Sequence, residues 1–392
     1  MAETTVIVGG GLAAVRTAQA LRDLKYPGKV LILSDESHWP YDRPPLSKNF
    51  LLGKAGESDI LLVTPDRAAE LNVEIRLSQK VSLDRAQKIV HVAGSEDIPY
   101  THLVIATGAR PVSLPLLTGY TNVHPLRSLG DAQAVKAELK PGARIAFVGG
   151  GFIGLEIAAV AKELGCTVTV IEAAETPLAP VIGAELGRLV QRWHEKKGVS
   201  FRCGSAVKAV AASAGRVEAL ELASGERVDA DAVIVGVGTQ ANIEWLEDSG
   251  LDLHRGLVCN ELGQSSDPCI FGVGDVVCRH VNGKYHPTRQ WTATTEQARR
   301  VARAICGEPE PGPVIDDHYF WSDQHGVRLQ FVGEVPEKPR LFFSLGSPDE
   351  EKFVVLCGDE GGATAVFSLG CPRDFIRQSG PLRQGEKIPY PD

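Results

Sequence analysis

Two stretches of the chain repeat one pattern of apolar and small residues. Residues 5–20 read TVIVGGGLAAVRTAQA, and residues 145–160 read IAFVGGGFIGLEIAAV. Each opens with a short β-branched run suited to a parallel strand covered on both faces, then continues into small and apolar residues at helical spacing. Each copy is followed by a second strand-like run, KVLIL in the first and TVTVI in the second. Further along, TTEQARRVARAI predicts a helix starting near Thr294, and RLFFSL and KFVVLC predict antiparallel strands close to the C-terminus. The pattern is that of an α/β chain with two similar halves and a small α+β segment at its end.

Between strand and helix each copy carries GxGxx(G/A): Gly9, Gly11 and Ala14 in the first, Gly149, Gly151 and Gly154 in the second. The first glycine permits a sharp turn, and the second lets the backbone approach a pyrophosphate. The small third residue lets helix and strand pack closely, and the helix N-terminus offers N–H donors to an anion. Ala13, Phe152 and Ile153 belong to the same turns. Two such fingerprints, each between a strand and a helix, predict two Rossmann-like dinucleotide-binding domains. The second strand of each copy should end in an acid that accepts hydrogen bonds from a ribose diol. Glu172 fills that position in the second copy, with a solvated strand-end acid as the plain alternative. In the first copy both Asp35 and Glu36 are candidates, Asp35 being preferred. A carboxylate at 172 repels a 2′-phosphate, and no Arg follows through Pro180 to attract one, which favours NADH over NADPH.

Composition narrows the class. At 392 residues the chain is long enough for two or three domains, each with its own core. A formal charge of −8 argues against general binding to nucleic acid or anionic membranes. No apolar run approaches the roughly 18–20 residues of a membrane span, and structure begins too early to leave room for a signal peptide. The eight cysteines, the first at Cys166, lack CxxC or zinc spacing and suit reduced thiols in a cytoplasmic protein.

These residues together resemble the glutathione-reductase-like flavoproteins, in which the first fold holds FAD and the second NAD(P)H. YTHLVIATGARP at 100–111 is similar to that family's second flavin-side segment, and VDADAVIVGVGTQAN at 228–242 to the segment closing the nicotinamide domain. CIFGVGDVV at 269–277 is similar to the late FAD motif. The disulfide reductases of the group carry a CxxxxC pair near residues 38–53, and the NADH oxidase branch one cysteine; this chain has HWPYDRPPLSKNFLLG there, with no thiol. YDRPPLSK instead resembles the oxygenase-coupled NADH-dependent ferredoxin reductases, whose relatives include putidaredoxin and rubredoxin reductases. LRSLGDA at 126–132 and FWSDQ at 320–324 add to that resemblance.

The resemblance implies an FAD domain over 1–112 and 242–316, an NADH domain over 113–241, and a C-terminal domain over 317–392, reached through the PEPGPVIDD linker. The two cofactors would meet where the domains join. It implies hydride transfer from nicotinamide to flavin, then single electrons to a separate [2Fe–2S] ferredoxin, because the chain has no cluster-binding cysteine set. FAD contacts are implied for Gly9, Gly11, Ala13, Ala14, Asp35, Glu36, Arg43, Pro44, Lys48, Val81, Thr107, Gly108, Arg127, Gly274, Asp275 and Trp291. NADH contacts are implied for Gly149, Gly151, Phe152, Ile153, Gly154, Glu156, Glu172, Gly236, Val237 and Gly238. Lys48 would offset negative charge on a reduced flavin, and Glu156 would orient the nicotinamide and pair with Lys48. The plain alternatives are a solvated loop lysine, an acid compensating a helix dipole in its first turn, and, for Trp291, a core residue. The chain departs from the family at Arg289, where relatives commonly have Glu, and at His318 and Tyr319 ahead of FWSDQ. Arg299, Arg300, Arg303, Arg373, Arg377 and Arg383 are candidates for a basic ferredoxin-docking face, with solvated charge as the alternative. Rubredoxin reductase, monodehydroascorbate reductase and a signalling flavoprotein like apoptosis-inducing factor are the competing functions.

Overall fold

The computed structural model of the protein describes residues 3–281, 283–287, 291–309, 312 and 318–390. Arg289 and most of the PEPGPVIDD linker lie outside the described residues. The chain divides into two compact units. One comprises Met1–Asp42, Glu57–Arg110 and Thr239–Val314, and the other Arg43–Gly56, Pro111–Gly238 and Ile315–Asp392.

The first unit is built on a five-stranded parallel sheet. Its order is Ile270–Gly272, His102–Ile105, Thr4–Val8, Lys29–Leu33, Val73–Arg76. Alternate side chains of the central strands enter separate cores, so the runs are apolar throughout. Ile7, Val30, Ile32 and Val104 pack with Ala14, Ala18 and Leu21 of the helix Leu12–Asp23 and with Ala298, Val301 and Ala302 of a later helix. Val6, Val8, Leu31, Leu33, Leu103 and Ile105 pack on the other face with Leu246, Leu251 and Val277. Each fully buried aliphatic side chain here contributes about 1.5–3 kcal/mol. The late helix spans Trp291–Ile305, beginning before the expected Thr294.

The second unit repeats the plan. Its parallel sheet runs Ser200–Cys203, Thr167–Glu172, Arg144–Val148, Ala232–Val235, Val123–His124, with the helix Phe152–Glu163 following the central strand. The same unit contains the C-terminal antiparallel sheet, ordered Phe320–Gln324, Val327–Gly333, Gly362–Leu369, Phe353–Asp359, Arg340–Leu345. RLFFSL and KFVVLC are neighbours in it. Phe375, from the short helix Pro372–Ser379, fills its core with Val332, Val354 and Val366.

These bounds differ from those read in the sequence. Arg43–Gly56 groups with Pro111–Gly238 although both its flanks belong to the other unit, and the C-terminal segment groups there too.

Candidate active site

The two fingerprints close in the same way. Gly9 N donates to Leu33 O and Gly149 N to Ile171 O, each at 2.8 Å. Both glycines have positive φ, +124° and +102°. A Cβ on Gly9 would lie 2.2 Å from Ala106 O, and one on Gly149 would lie 2.4 Å from Gly236 O. Only glycine fits where the strand end and the next glycine-rich segment touch. Gly11 and Gly151 are the N-caps of the two twelve-residue helices, with no acid in either first turn. Nothing lies within 4 Å of a Cβ placed on Gly11, and Gly151 has only Gly236 O at 3.7 Å. Each helix start is therefore an open cradle of backbone N–H groups, which fits a pyrophosphate. The third position differs between copies. Ala14 is fully buried and tolerated, whereas a Cβ on Gly154 would sit 2.9 Å from Gly149 O.

In the first unit, Thr107 and Gly108 are clamped by a residue the sequence reading did not single out. Asn242 donates its side-chain amide to Thr107 O at 2.9 Å and its backbone N–H to Gly108 O at 2.9 Å, while Thr107 Oγ1 donates to Asn242 O. Gly274 N donates to Gln297 Oε1 at 2.8 Å, fixing the GVGD turn ahead of the half-buried Asp275. Trp291 is partly exposed and donates Nε1–H to Asp42 Oδ1 at 3.0 Å, so it is not plain core. Val81 pairs with Val92 and packs against the sheet's second core. Asp35 is exposed, while Glu36 is half-buried and accepts from the Tyr41 hydroxyl. By register the counterpart of Glu172 is neither acid but Ser34, whose Oγ accepts from Glu36 N as Glu172 Oε1 accepts from Ala174 N.

In the second unit, Glu172 also accepts from Gly150 N at 2.6 Å, tying the strand tip to the glycine turn. Ile153 and Val237 are unusually exposed for apolar residues, at 44% and 36%, beside Gly151, Gly236 and Gly238. Phe152 stacks at a tilt on Phe320, centroids 4.3 Å apart. Arg43 donates to Arg127 O at 2.6 Å, and Pro44 starts the short turn Pro44–Ser47 that presents Lys48. Arg43, Pro44, Lys48 and Arg127, expected as FAD contacts, thus belong to this unit, whereas the first fingerprint, with the other expected FAD contacts, belongs to the first unit.

One largely buried charge pair joins two expected site residues. Lys48 Nζ lies 2.6 Å from Glu156 Oε2, with side chains 18% and 6% exposed. Ser47 Oγ donates to the same oxygen at 2.5 Å, and Ser322 Oγ donates to Oε1 at 2.6 Å. Glu156 is the fifth residue of its helix, beyond the first turn, so dipole compensation does not explain it. Burying an ion pair is costly unless its remaining valences are met, and here two hydroxyls help meet them.

The basic-face expectation needs correction at Arg300. Its side chain is buried, donating to Gly312 O at 2.7 Å and pairing with Glu296, because the late helix turns that face into the unit. Arg299 and Arg303 are on the same helix, Arg303 bonded to Pro309 O. Arg373 and Arg377 are exposed, and Arg383 covers the Tyr319 ring at 4.9 Å.

A chain with two glycine cradles, each between a parallel strand and a helix, belongs to the class of two-dinucleotide flavoproteins. Residues 3–301 match the pyridine nucleotide-disulphide oxidoreductase family and residues 319–389 the reductase C-terminal family; the chain belongs to the former and carries the latter's domain. It is 36% identical over 380 residues to a probable ferredoxin reductase of Castellaniella defragrans, covering 95% of this chain and 92% of that one. It is 35% identical over 390 residues to a rubredoxin–NAD(+) reductase of Pseudomonas putida, covering 98% and 99%. The crystal structure of a covalent putidaredoxin reductase–putidaredoxin complex superposes with a TM-score of 0.92 at 32% identity, covering 97% of this chain and 93% of that one. Despite the family's name, no cysteine precedes Cys166, and all eight cysteines are free.

Proposed function

We propose that the protein is an FAD-dependent, NADH-oxidising reductase that passes electrons to a small [2Fe–2S] ferredoxin serving an oxygenase. The supporting observation is the pair of open glycine cradles, in a chain whose Lys48 lies in the segment where thiol-using relatives carry cysteine. Bound FAD would supply hydride acceptance from NADH and one-electron release suited to an iron–sulfur carrier. The protein's part is to hold and to tune. Gly9, Gly11, Ala13 and Ala14 receive the FAD pyrophosphate, with Asp35 or Glu36 on the ribose. Thr107, Gly108, Gly274 and Asp275 line the flavin side with backbone and a carboxylate, and Trp291 covers the ring edge. Gly149, Gly151 and Gly154 receive the NADH pyrophosphate, and Glu172 accepts from its ribose diol and disfavours a 2′-phosphate. Lys48, anchored by Glu156, places a cation that offsets negative charge gained on reduction. Since hydride transfer needs no protein base, no side chain is assigned to proton abstraction. Among the described residues no helix is long and apolar enough to cross a membrane, and eight free thiols favour the cytoplasm.

The rubredoxin–NAD(+) reductase relative, matched over 99% of its length, supports a rubredoxin acceptor as the second reading. Anaerobic mixing with NADH, then with a [2Fe–2S] ferredoxin or a rubredoxin, separates them. The first reading expects prompt bleaching of the yellow chromophore and reoxidation by the ferredoxin. Bleaching followed by reoxidation with rubredoxin alone favours the second, and a colourless protein overturns both.

A further inference from the structure

The Lys48–Glu156 pair ends a longer polar chain, all of it inside the second unit. From Glu156 Oε1 the chain runs to Ser322 Oγ at 2.6 Å, then to Gln324 Nε2 at 2.9 Å. Gln324 Oε1 lies 2.6 Å from His194 Nε2, and His194 Nδ1 lies 3.0 Å from His325 Nε2. Ser322, Gln324 and His194 are at most 1% exposed and Glu156 is 5% exposed. His325 is half-buried. Glu156 comes from the helix Phe152–Glu163, Ser322 and Gln324 from the strand Phe320–Gln324, His194 from the helix Ala179–Lys196, and His325 from the turn just past the strand, so elements distant in sequence build one line.

Chemistry fixes the direction of every bond in this line. A carboxylate only accepts, so Ser322 must donate its single proton to Glu156. Ser322 must then accept from Gln324, which places the amide NH2 toward Ser322 and the carbonyl toward His194. That carbonyl requires Nε2–H on His194. Burial holds the His194 ring neutral, its pKa pushed down to about 3, with neighbouring His325 as a lesser cause. Nδ1 of His194 is therefore an acceptor, and His325 donates Nε2–H to it. Every donor points toward Glu156, and each polar side-chain atom from Glu156 to His194 has a partner. In a medium of low polarity such aligned bonds reinforce one another, and any break leaves a buried group unpaired. An apolar core would be cheaper at these positions, so the line calls for a purpose beyond packing.

We propose that Ser322, Gln324 and His194 are positioning residues of the reductase site. They form a one-way line of donors that fixes the Glu156 carboxylate and reserves its Oε2 for Ser47 and Lys48. The inference rests on the reading of Lys48 and Glu156 given above. On this account the strand Phe320–Gln324 sets where the Lys48 ammonium sits, through the hydrogen bond from Ser322 to Glu156.

The test uses the holoenzyme. With 15N-labelled histidine, the His194 Nε2–H should appear as a slowly exchanging, downfield resonance at neutral pH. It should move when Glu156→Gln replaces the carboxylate at the far end of the line. In anaerobic stopped-flow mixing, Ser322→Ala should slow flavin reduction by NADH roughly tenfold, the size expected for one hydrogen bond to a charged group. NADH affinity should stay within about twofold, and Ser322→Thr, which keeps the hydroxyl, should restore the rate. A His194 resonance that Glu156→Gln leaves unmoved overturns the line, as does a Ser322→Ala protein as fast as wild type. Unimpaired reduction in Lys48→Ala instead removes the reading of the pair itself, and the histidine resonance reports on the line independently of it.

Discussion

Replacing one glycine in each cradle should separate the two cofactors. In Gly9→Ala the new methyl would stand 2.2 Å from Ala106 O, 2.5 Å from its carbonyl carbon and 3.0 Å from Thr107 N. All are backbone atoms, so no side chain can swing aside. The displaced peptide leads straight into Thr107 and Gly108, on the flavin side. In Gly149→Ala the methyl would meet Gly236 O at 2.4 Å and Val237 N at 3.3 Å, on the nicotinamide side. Each substitution also forces an L-residue to a φ above +100°. Backbone strain of about 1–3 kcal/mol and overpacking of about 1–3 kcal/mol together give roughly 2–6 kcal/mol. If it all falls on the bound state, affinity drops between about 30-fold and more than 10⁴-fold. The expected outcomes are a pale or colourless Gly9→Ala protein and a yellow Gly149→Ala protein that NADH bleaches poorly. The assays are flavin absorbance per mole of protein and anaerobic NADH titration. A fully yellow Gly9→Ala protein with unchanged FAD affinity would refute the cradle argument, and so would loss of flavin from Gly149→Ala alone.

Three further outcomes are expected. Lys48→Ala should cost about 3–5 kcal/mol of unfolding free energy by stranding the buried Glu156 carboxylate, and adding Glu156→Gln should recover much of that in denaturant titrations; no recovery would show that the charge is not the cause. Glu172→Ala should raise the KM for NADH roughly tenfold and narrow its advantage over NADPH, read from initial rates, because the ribose acceptor and the tie to Gly150 N go together. Acid should destabilise the fold through His194. Its folded pKa of about 3 lies below the unfolded value, so its stabilisation is complete above about pH 6.5 and is lost as pH falls towards 3. By about pH 5 this one group should have lost about 2 kcal/mol, a loss that His194→Phe should remove from the pH dependence of urea unfolding.

What could be read in the sequence was local. The glycines of both fingerprints, the strand ends they close and the helices they start depend on spacings of a few residues, and the Lys48–Glu156 pair came through resemblance to a family. What could not be read depends on folding. Ser322 and Gln324 lie in FWSDQ, which carried part of the resemblance without giving either a role, His194 carries no motif, and only tertiary packing puts a histidine of one helix against a glutamine 130 residues later. Asn242 was hidden for the same reason, since its role is to clasp Thr107 and Gly108 from a distant segment. Arg300 looked like its neighbours Arg299 and Arg303 because a run of cations does not reveal which one the helix turns inward. Ser34 shows that two strands of one pattern can end differently, with an acid at the tip in one and a hydroxyl followed by acids in the other.

The short excursion Arg43–Gly56 has a bearing on how such proteins can be rebuilt. Its lysine is encoded more than a hundred positions ahead of its carboxylate partner, inside a stretch of gene otherwise devoted to the flavin half. A graft that exchanged only the contiguous nicotinamide cassette would import a new helix and leave the old lysine behind, so the ammonium would face whatever residue the donor carries at position 156. The unit is therefore best transplanted as its three pieces of chain or altered in place.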